Sequence, residues 1–100
     1  MVEKSIMKPD LRYSTERFYG SHRHEIFYGN NRKKSIELGL YVFLEPKYHN
    51  MSKKGVHFDK EFDLYLKQKG QKRAMEVYGW DIEQFIKEFG KNYLTEEDNE

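Results

Sequence analysis

Two short segments in the first half of the chain have the hydrophobic patterns of β-strands. Residues 23–28 alternate, with Ile26 and Tyr28 on one side and Phe27 on the other. Residues 40–44 are all apolar. Alternation is typical of a half-buried strand, and a short continuous apolar run is typical of a fully buried one. We therefore predict one strand in each segment.

The residues between and after these strands favour a short helix and a loop. Asn30 or Asn31 can cap a helix through Leu38, which Gly39 would end in the left-handed conformation. Residues 46–56 contain Pro, Asn, Ser and Gly, which form turns, and are predicted as a loop.

Two further helices are predicted after this loop. The first begins near His57, and Gly70 is the position at which it could break. The second has Asp81 as its N-cap, Gln84 placed to complete a capping box, and an end at Gly90. The apolar faces consist of Phe58, Phe62, Tyr65 and Leu66 in the first helix and Ile82, Phe85, Ile86 and Phe89 in the second.

These elements predict a small α+β fold, in which a short antiparallel two-strand unit packs on two C-terminal helices. A chain of 100 residues forms one domain. We place this domain at 13–94, after a flexible N-terminal arm at 1–12 and before an acidic, disordered tail at 95–100. Its core must rely on aromatic rings, since the chain has 8 Tyr, 7 Phe and 1 Trp.

Composition excludes several classes of protein. The absence of cysteine rules out disulfides and cysteine-based zinc clusters. No segment approaches the ~18 apolar residues of a membrane-spanning helix. The first residues lack the apolar run of a signal peptide. We therefore expect a soluble, intracellular protein.

The net charge of +1 conceals an uneven distribution. Residues 96–100 hold four carboxylates, which leaves residues 1–95 with a net charge of +5. Positive charges cluster beside the histidines, as suits a polyanionic substrate, although such runs also fit ordinary solvated helix faces. The clusters are Arg32-Lys33-Lys34, Lys53-Lys54, and Lys67, Lys69, Lys72 and Arg73.

Histidine is the residue type most indicative of chemistry in this chain. Three of the four histidines, His24, His49 and His57, lie on a predicted strand, in the loop after the second strand and at a helix start. This is the layout of a small metal-dependent nuclease site. Imidazole suits Zn²⁺, Ni²⁺ or Mn²⁺, whereas Mg²⁺ prefers oxygen. Each histidine also fits a structural role, and the fourth, His22, fits a surface position.

Several short blocks together carry a resemblance to a known family. The blocks are 23–29, 31–35, 39–40, 49–52, 55–58 and 89–94. In this order they resemble small bacteriophage proteins described as HNH-type endonucleases, or as recombination-associated nucleases of the ββα-metal class. The resemblance covers roughly residues 17–94, and several blocks in one order are more specific than any single block.

The resemblance implies a role for each residue of the site. His24 would be a metal ligand at the catalytic centre, with Glu25 in the position of the general base. His49 and His57 would complete the shell of one divalent ion: Mg²⁺, Mn²⁺, Zn²⁺ or Ni²⁺. Substrate would be bound by Arg32, Lys33, Lys34 and Asn50. Glu25 also fits two other roles, as hydrogen-bond partner of an imidazole or as an exposed carboxylate, because adjacent strand residues point to opposite faces.

The implied function is metal-dependent hydrolysis of DNA in phage DNA processing or recombination, in the cytoplasm of a bacterial host. Expected partners are DNA, a second copy of the chain, and a host or phage recombination protein. Relatives commonly carry cysteine pairs and two adjacent histidines, whereas this chain has no cysteine and has Tyr48-His49. The alternative is a catalytically inactive HNH-fold module that binds DNA or inhibits a host protein. A structural phage protein is a third reading.

Overall fold

A computed structural model describes residues 4–45 and 60–95 of the chain. Predictions that concern residues 1–3, 46–59 and 96–100 lie outside these ranges. The regular elements are β1 (His22–Glu25), a 3-10 turn (Gly29–Asn31), α1 (Arg32–Glu37), β2 (Tyr41–Leu44), α2 (Lys60–Tyr78) and α3 (Ile82–Phe89). The predicted α+β class is confirmed, since residues 4–45 and 60–95 form a two-stranded antiparallel sheet and three α-helices.

The two faces of the sheet differ in character. β1 and β2 pair in register, with His24 opposite Val42 and Arg23 opposite Phe43. Because directly opposed residues point to the same side, His24, Val42 and Leu44 share one face. These three side chains are at most 2% exposed. This inner face is part of the core, and the outer face bears Arg23.

The first strand ends earlier than the alternating pattern predicts. The backbone N–H of Ile26 still donates to the carbonyl of Leu40 at 3.1 Å, but that of Phe27 donates to the Ser35 hydroxyl at 3.2 Å. The Ser35 hydroxyl in turn donates to the Leu40 carbonyl. This side-chain bridge replaces the strand ladder, so Ile26 and Phe27 are both buried and Tyr28 is 38% exposed.

The N-terminal segment packs against the second strand. The Ser5 hydroxyl donates to the carbonyl of Tyr41 at 2.6 Å, and Ser14 and Phe43 exchange two backbone hydrogen bonds of 3.0 and 2.8 Å. Met7 and Tyr13 are buried in the core. Residues 4–12, predicted as an arm apart from the domain, therefore lie along it, because the second edge of β2 offers them backbone partners.

Helix α2 continues through Gly70 without a break. A Cβ atom at this position would lie 3.1 Å from Ile26 Cγ2 and 3.1 Å from Phe27 Cε2. The glycine thus lets the helix approach the end of β1 closely. The predicted face of α2 is buried at Phe62 and Leu66.

Helix α3 has the predicted N-cap and C-terminal glycine, but the Gln84 side chain donates to Glu88 Oε2 at 3.0 Å and does not complete the predicted capping box. The Asp81 carboxylate accepts a hydrogen bond from the Gln84 backbone N–H at 2.8 Å, and Gly90 ends the helix with φ of 87°. Phe85 and Phe89 are buried, but Ile86, predicted to share their face, is 39% exposed. The Phe27 ring contacts both phenylalanines, at centroid distances of 5.5 and 4.6 Å, so α3 covers the end of β1.

Within 4–45 and 60–95, no helix has the length and apolar character needed to cross a membrane.

Candidate functional site

His24 lies on the inner face of the sheet. Its side chain is 2% exposed, and its strand partner is Val42. The imidazole packs near the ring of Tyr28, with 5.8 Å between the two centroids. The strand alternation alone accounts for this position, since His24 follows an exposed Arg23 and precedes a partly exposed Glu25.

A hydrogen-bond network connects Tyr28 with helix α2. The Tyr28 hydroxyl donates to Asp63 Oδ1 at 2.8 Å, and Lys67 Nζ donates to Asp63 Oδ2 at 2.8 Å. The same ammonium group lies 4.3 Å from the centroid of the Tyr28 ring. This network fixes the chain just after β1 against the first turns of α2, next to His24.

The network also sets the charges beside His24. Burial and the hydrogen bond to Asp63 raise the pKa of Tyr28 above its usual value. Burial disfavours the Lys67 ammonium, but the hydrogen bonds to Asp63 and Tyr28 outweigh that effect and raise the pKa of Lys67. At neutral pH Tyr28 is therefore a neutral phenol and Lys67 a charged ammonium group.

Glu25 points to the face opposite His24. Its carboxylate pairs with the Nε of Arg32 at 2.6 Å and with the Nε of Arg23 at 3.4 Å, and its side chain is 11% exposed. The structure does not bring His24 and Glu25 to one site. Glu25 instead forms an ion pair with Arg32, which was predicted to bind substrate phosphate.

The predicted basic run 32–34 does not form one surface. The Arg32 side chain is 63% exposed beyond its contact with Glu25. Lys33 is exposed. The Lys34 ammonium instead donates to the Glu88 carbonyl at 2.8 Å and lies 3.2 Å from the Glu88 carboxylate. Arg32 and Lys33 are thus available to an anion, whereas Lys34 fastens α1 to the end of α3.

The other predicted site residues, His49, Asn50 and His57, lie outside the described ranges. In the part of the chain that the structure describes, no three His, Cys, Asp or Glu side chains are grouped so that they could hold a metal ion. His24 is the predicted ligand whose position is known. Any set of three such ligands around it would therefore include residues outside the described ranges.

Sequence reasoning missed two features of the molecule. The first is the network of Tyr28, Asp63 and Lys67. Tyr28 is distant along the chain from the other two residues, and the available signal was the spacing of Asp63 and Lys67 by four residues in a helix. The second is a cleft on the outer face of the sheet, of about 410 Å³, lined by basic and aromatic side chains. The pairing of the two strands places Arg23 on the same face of the sheet as Phe43. Arg17 lines the cleft only because the N-terminal segment packs against the sheet.

Comparison of the chain with protein-family models, with curated proteins and with solved structures gives no match in any of the three. The resemblance to HNH-type endonucleases thus rests on the sequence blocks alone.

Proposed function

We propose that this protein is a metal-dependent DNA endonuclease of the HNH type, built on a ββα-metal unit. The observation that carries the proposal is the burial of His24 on the inner face of β1, beside a network that joins β1 to α2. The paired strands β1 and β2 precede α2 in the chain, as in that unit, and the short helix α1 lies between the two strands. The proposed metal ligands are His24, His49 and His57.

The donor set fits a divalent ion. Neutral imidazole nitrogens suit Mn²⁺, Zn²⁺ and Ni²⁺, and Mg²⁺ would take more of its ligands from oxygen. A bound cation of this kind supplies Lewis-acid chemistry at a phosphate oxygen and lowers the pKa of water. Burial of His24 in a packed strand limits its rotamers, which favours a preset position for a ligand.

Arg32 and Lys33 are the proposed contacts to substrate phosphate. The Arg32 Nε is held by Glu25, which leaves the terminal N–H groups of the guanidinium for an anion. A guanidinium fixed in this way loses less side-chain entropy when it binds phosphate. The two arginine contacts of Glu25 favour a role that was not among those predicted for it, the orientation of Arg32, over that of general base.

The test is cleavage of supercoiled plasmid with Mg²⁺, Mn²⁺, Zn²⁺ or Ni²⁺. We expect metal-dependent nicking by the wild type and a loss of about 100-fold or more in His57→Ala and in His24→Gln, since each removes a ligand. The matched control is His22→Gln, which changes the neighbouring imidazole of β1 and should retain activity.

A second readout separates metal binding from catalysis. Metal at about 100 times its Kd should add about 2.7 kcal/mol to the unfolding free energy of the wild type. Thermal unfolding with and without metal measures this gain, which should disappear in His57→Ala. Full activity and full metal stabilisation in His57→Ala would remove that residue from the site.

The position of Glu25 favours a second candidate function. The residue in the predicted base position is paired with two arginines and faces away from His24. A module that has lost hydrolysis and retains DNA binding would tolerate this arrangement. Salt-sensitive DNA binding without cleavage by any of the four metals would establish it.

A further inference from the structure

The outer face of the sheet forms one side of an open, positively charged cleft. The cleft has a volume of about 410 Å³ and lies between β1, β2 and the N-terminal segment. Its lining includes three cationic side chains, Lys4, Arg17 and Arg23, against a single carboxylate, that of Glu16. The excess of positive charge in a concave surface favours an anionic ligand.

Both arginines of the cleft are supported by aromatic rings. The guanidinium carbon of Arg17 lies 5.1 Å from the centroid of Phe43, and that of Arg23 lies 5.8 Å from the centroid of Tyr41. Such contacts hold a guanidinium in place and leave its N–H groups at the edge free to donate. The two arginines are therefore organised for bidentate binding of an anion before it arrives.

Among the described residues, carboxylates neutralise only part of the positive charge of the cleft. Within 4–45 and 60–95, no carboxylate forms an ion pair with Lys4 or Arg17. Arg23 shares Glu25 with Arg32, and the Arg32 contact is shorter, 2.6 Å against 3.4 Å. The positive charge of the cleft is thus available to a ligand.

We propose that this cleft holds the phosphodiester backbone of DNA, through Arg17 and Arg23. The rings of Tyr41 and Phe43 are only 6% and 7% exposed, so they support the arginines and are too covered to stack on bases. Contacts made only to phosphates position DNA without reading its sequence. The choice of DNA over other polyanions rests on the proposed function, but binding here needs no metal because His24 lies on the opposite face.

The test is DNA binding in the presence of EDTA. Fluorescence anisotropy of a labelled duplex of about 20 base pairs is measured from about 50 to about 300 mM NaCl. We expect Arg17→Gln/Arg23→Gln to bind about 10-fold more weakly at low salt and to flatten the plot of log K against log salt by about 2. Arg17→Gln alone, at an exposed position, should flatten it by about 1.

A variant with the same loss of charge elsewhere is the matched control. Lys87→Gln/Lys91→Gln removes two exposed cations in and after α3 that do not line the cleft. Its salt dependence should equal that of the wild type. An equal change in both double variants, an unchanged slope in Arg17→Gln, or a wild type that does not bind DNA would overturn the inference.

Failure of the proposed function gives a different result. If the protein binds the duplex in EDTA through Arg17 and Arg23 but does not cleave DNA with any of the four metals, the proposal for the cleft stands and the proposed nuclease function is wrong. A competition experiment with a mononucleotide tests whether the ligand of the cleft is a DNA strand. Displacement of the duplex by a mononucleotide at equal phosphate concentration would overturn the assignment to a DNA strand, because a strand engages more than one phosphate at once.

Discussion

The Asp10 carboxylate is held by three contacts. It accepts hydrogen bonds from the Tyr65 hydroxyl at 2.6 Å and the Arg12 backbone N–H at 2.8 Å, and it pairs with Lys69 Nζ at 2.9 Å. Burial alone would raise its pKa, but these contacts outweigh burial and lower the pKa of Asp10 to about 2. The ionised carboxylate thus stabilises the contact between the N-terminal segment and α2.

Asp10→Asn should lower the free energy of unfolding by about 1 kcal/mol at pH 7, after allowance for solvent screening. A carboxyl with a depressed pKa contributes stability above its unfolded value of 3.8 and loses it as the pH falls towards about 2. The gap between wild type and variant should therefore close over that range. Urea unfolding at pH 7 and at pH 2 measures it, and a gap that persists at pH 2 would contradict the assignment.

Single residues were predictable where a local rule governs them. The cap at Asp81 and the glycine ends at Gly39 and Gly90 depend on a few neighbouring residues, and all three occur as predicted. The opposite directions of His24 and Glu25 also follow from strand geometry. The exposure of Ile86 could not be predicted in this way, because it depends on which part of α3 the aromatic core covers.

At the scale of elements, the contact of α2 with the end of β1 is set by Gly70. Gly70→Ala would place a methyl group 3.1 Å from Ile26 and Phe27. Overpacking of this kind costs about 1–3 kcal/mol, and the better helix propensity of alanine returns about 1 kcal/mol. We expect a net loss of about 1 kcal/mol in urea unfolding.

The control for this prediction is Val77→Ala, at a position of α2 that is 41% exposed. It should change stability by less than about 0.5 kcal/mol. A stabilised Gly70→Ala variant would show that the side chains of Ile26 and Phe27 can move aside.

The strands and helices were largely predictable from periodicity, and their junctions were not. The predicted strands at 23–28 and 40–44 appear as His22–Glu25 and Tyr41–Leu44. The first strand is shorter than predicted because the Phe27 backbone N–H donates to the Ser35 hydroxyl, eight residues away, and not to the neighbouring strand. The pairing of Ser14 with Phe43 joins residues still further apart, and no local pattern around Ser14 indicates it.

At the scale of the whole molecule, residues 96–100 offset most of the positive charge. Their removal would change the net charge from +1 to +5. We expect this deletion to strengthen DNA binding several-fold at about 50 mM NaCl, with little effect at about 300 mM, because salt screens charges at a distance. Anisotropy with the same duplex checks this, and a variant with Gln or Asn at the four carboxylates should match the deletion.

The candidate site was predictable in part. The histidine pattern placed His24 on a strand, and the structure puts it on the buried face of β1. The sequence could not show which residues of the basic run 32–34 remain available to a ligand, because Lys34 donates a hydrogen bond to Glu88, 54 residues away. The arginine cleft was missed because Arg17 and Arg23 belong to no run of charges and meet only when the N-terminal segment folds along the sheet.

The pairing of the N-terminal segment with β2 has a consequence for self-association. A strand with free amides and carbonyls along one edge is a template for pairing with another molecule. Ser5 and Ser14 occupy that edge of β2, whose residues Tyr41–Leu44 are all apolar. Proteolytic loss of residues 4–14 would uncover this edge and turn the most apolar strand of the described chain into a seed for aggregation.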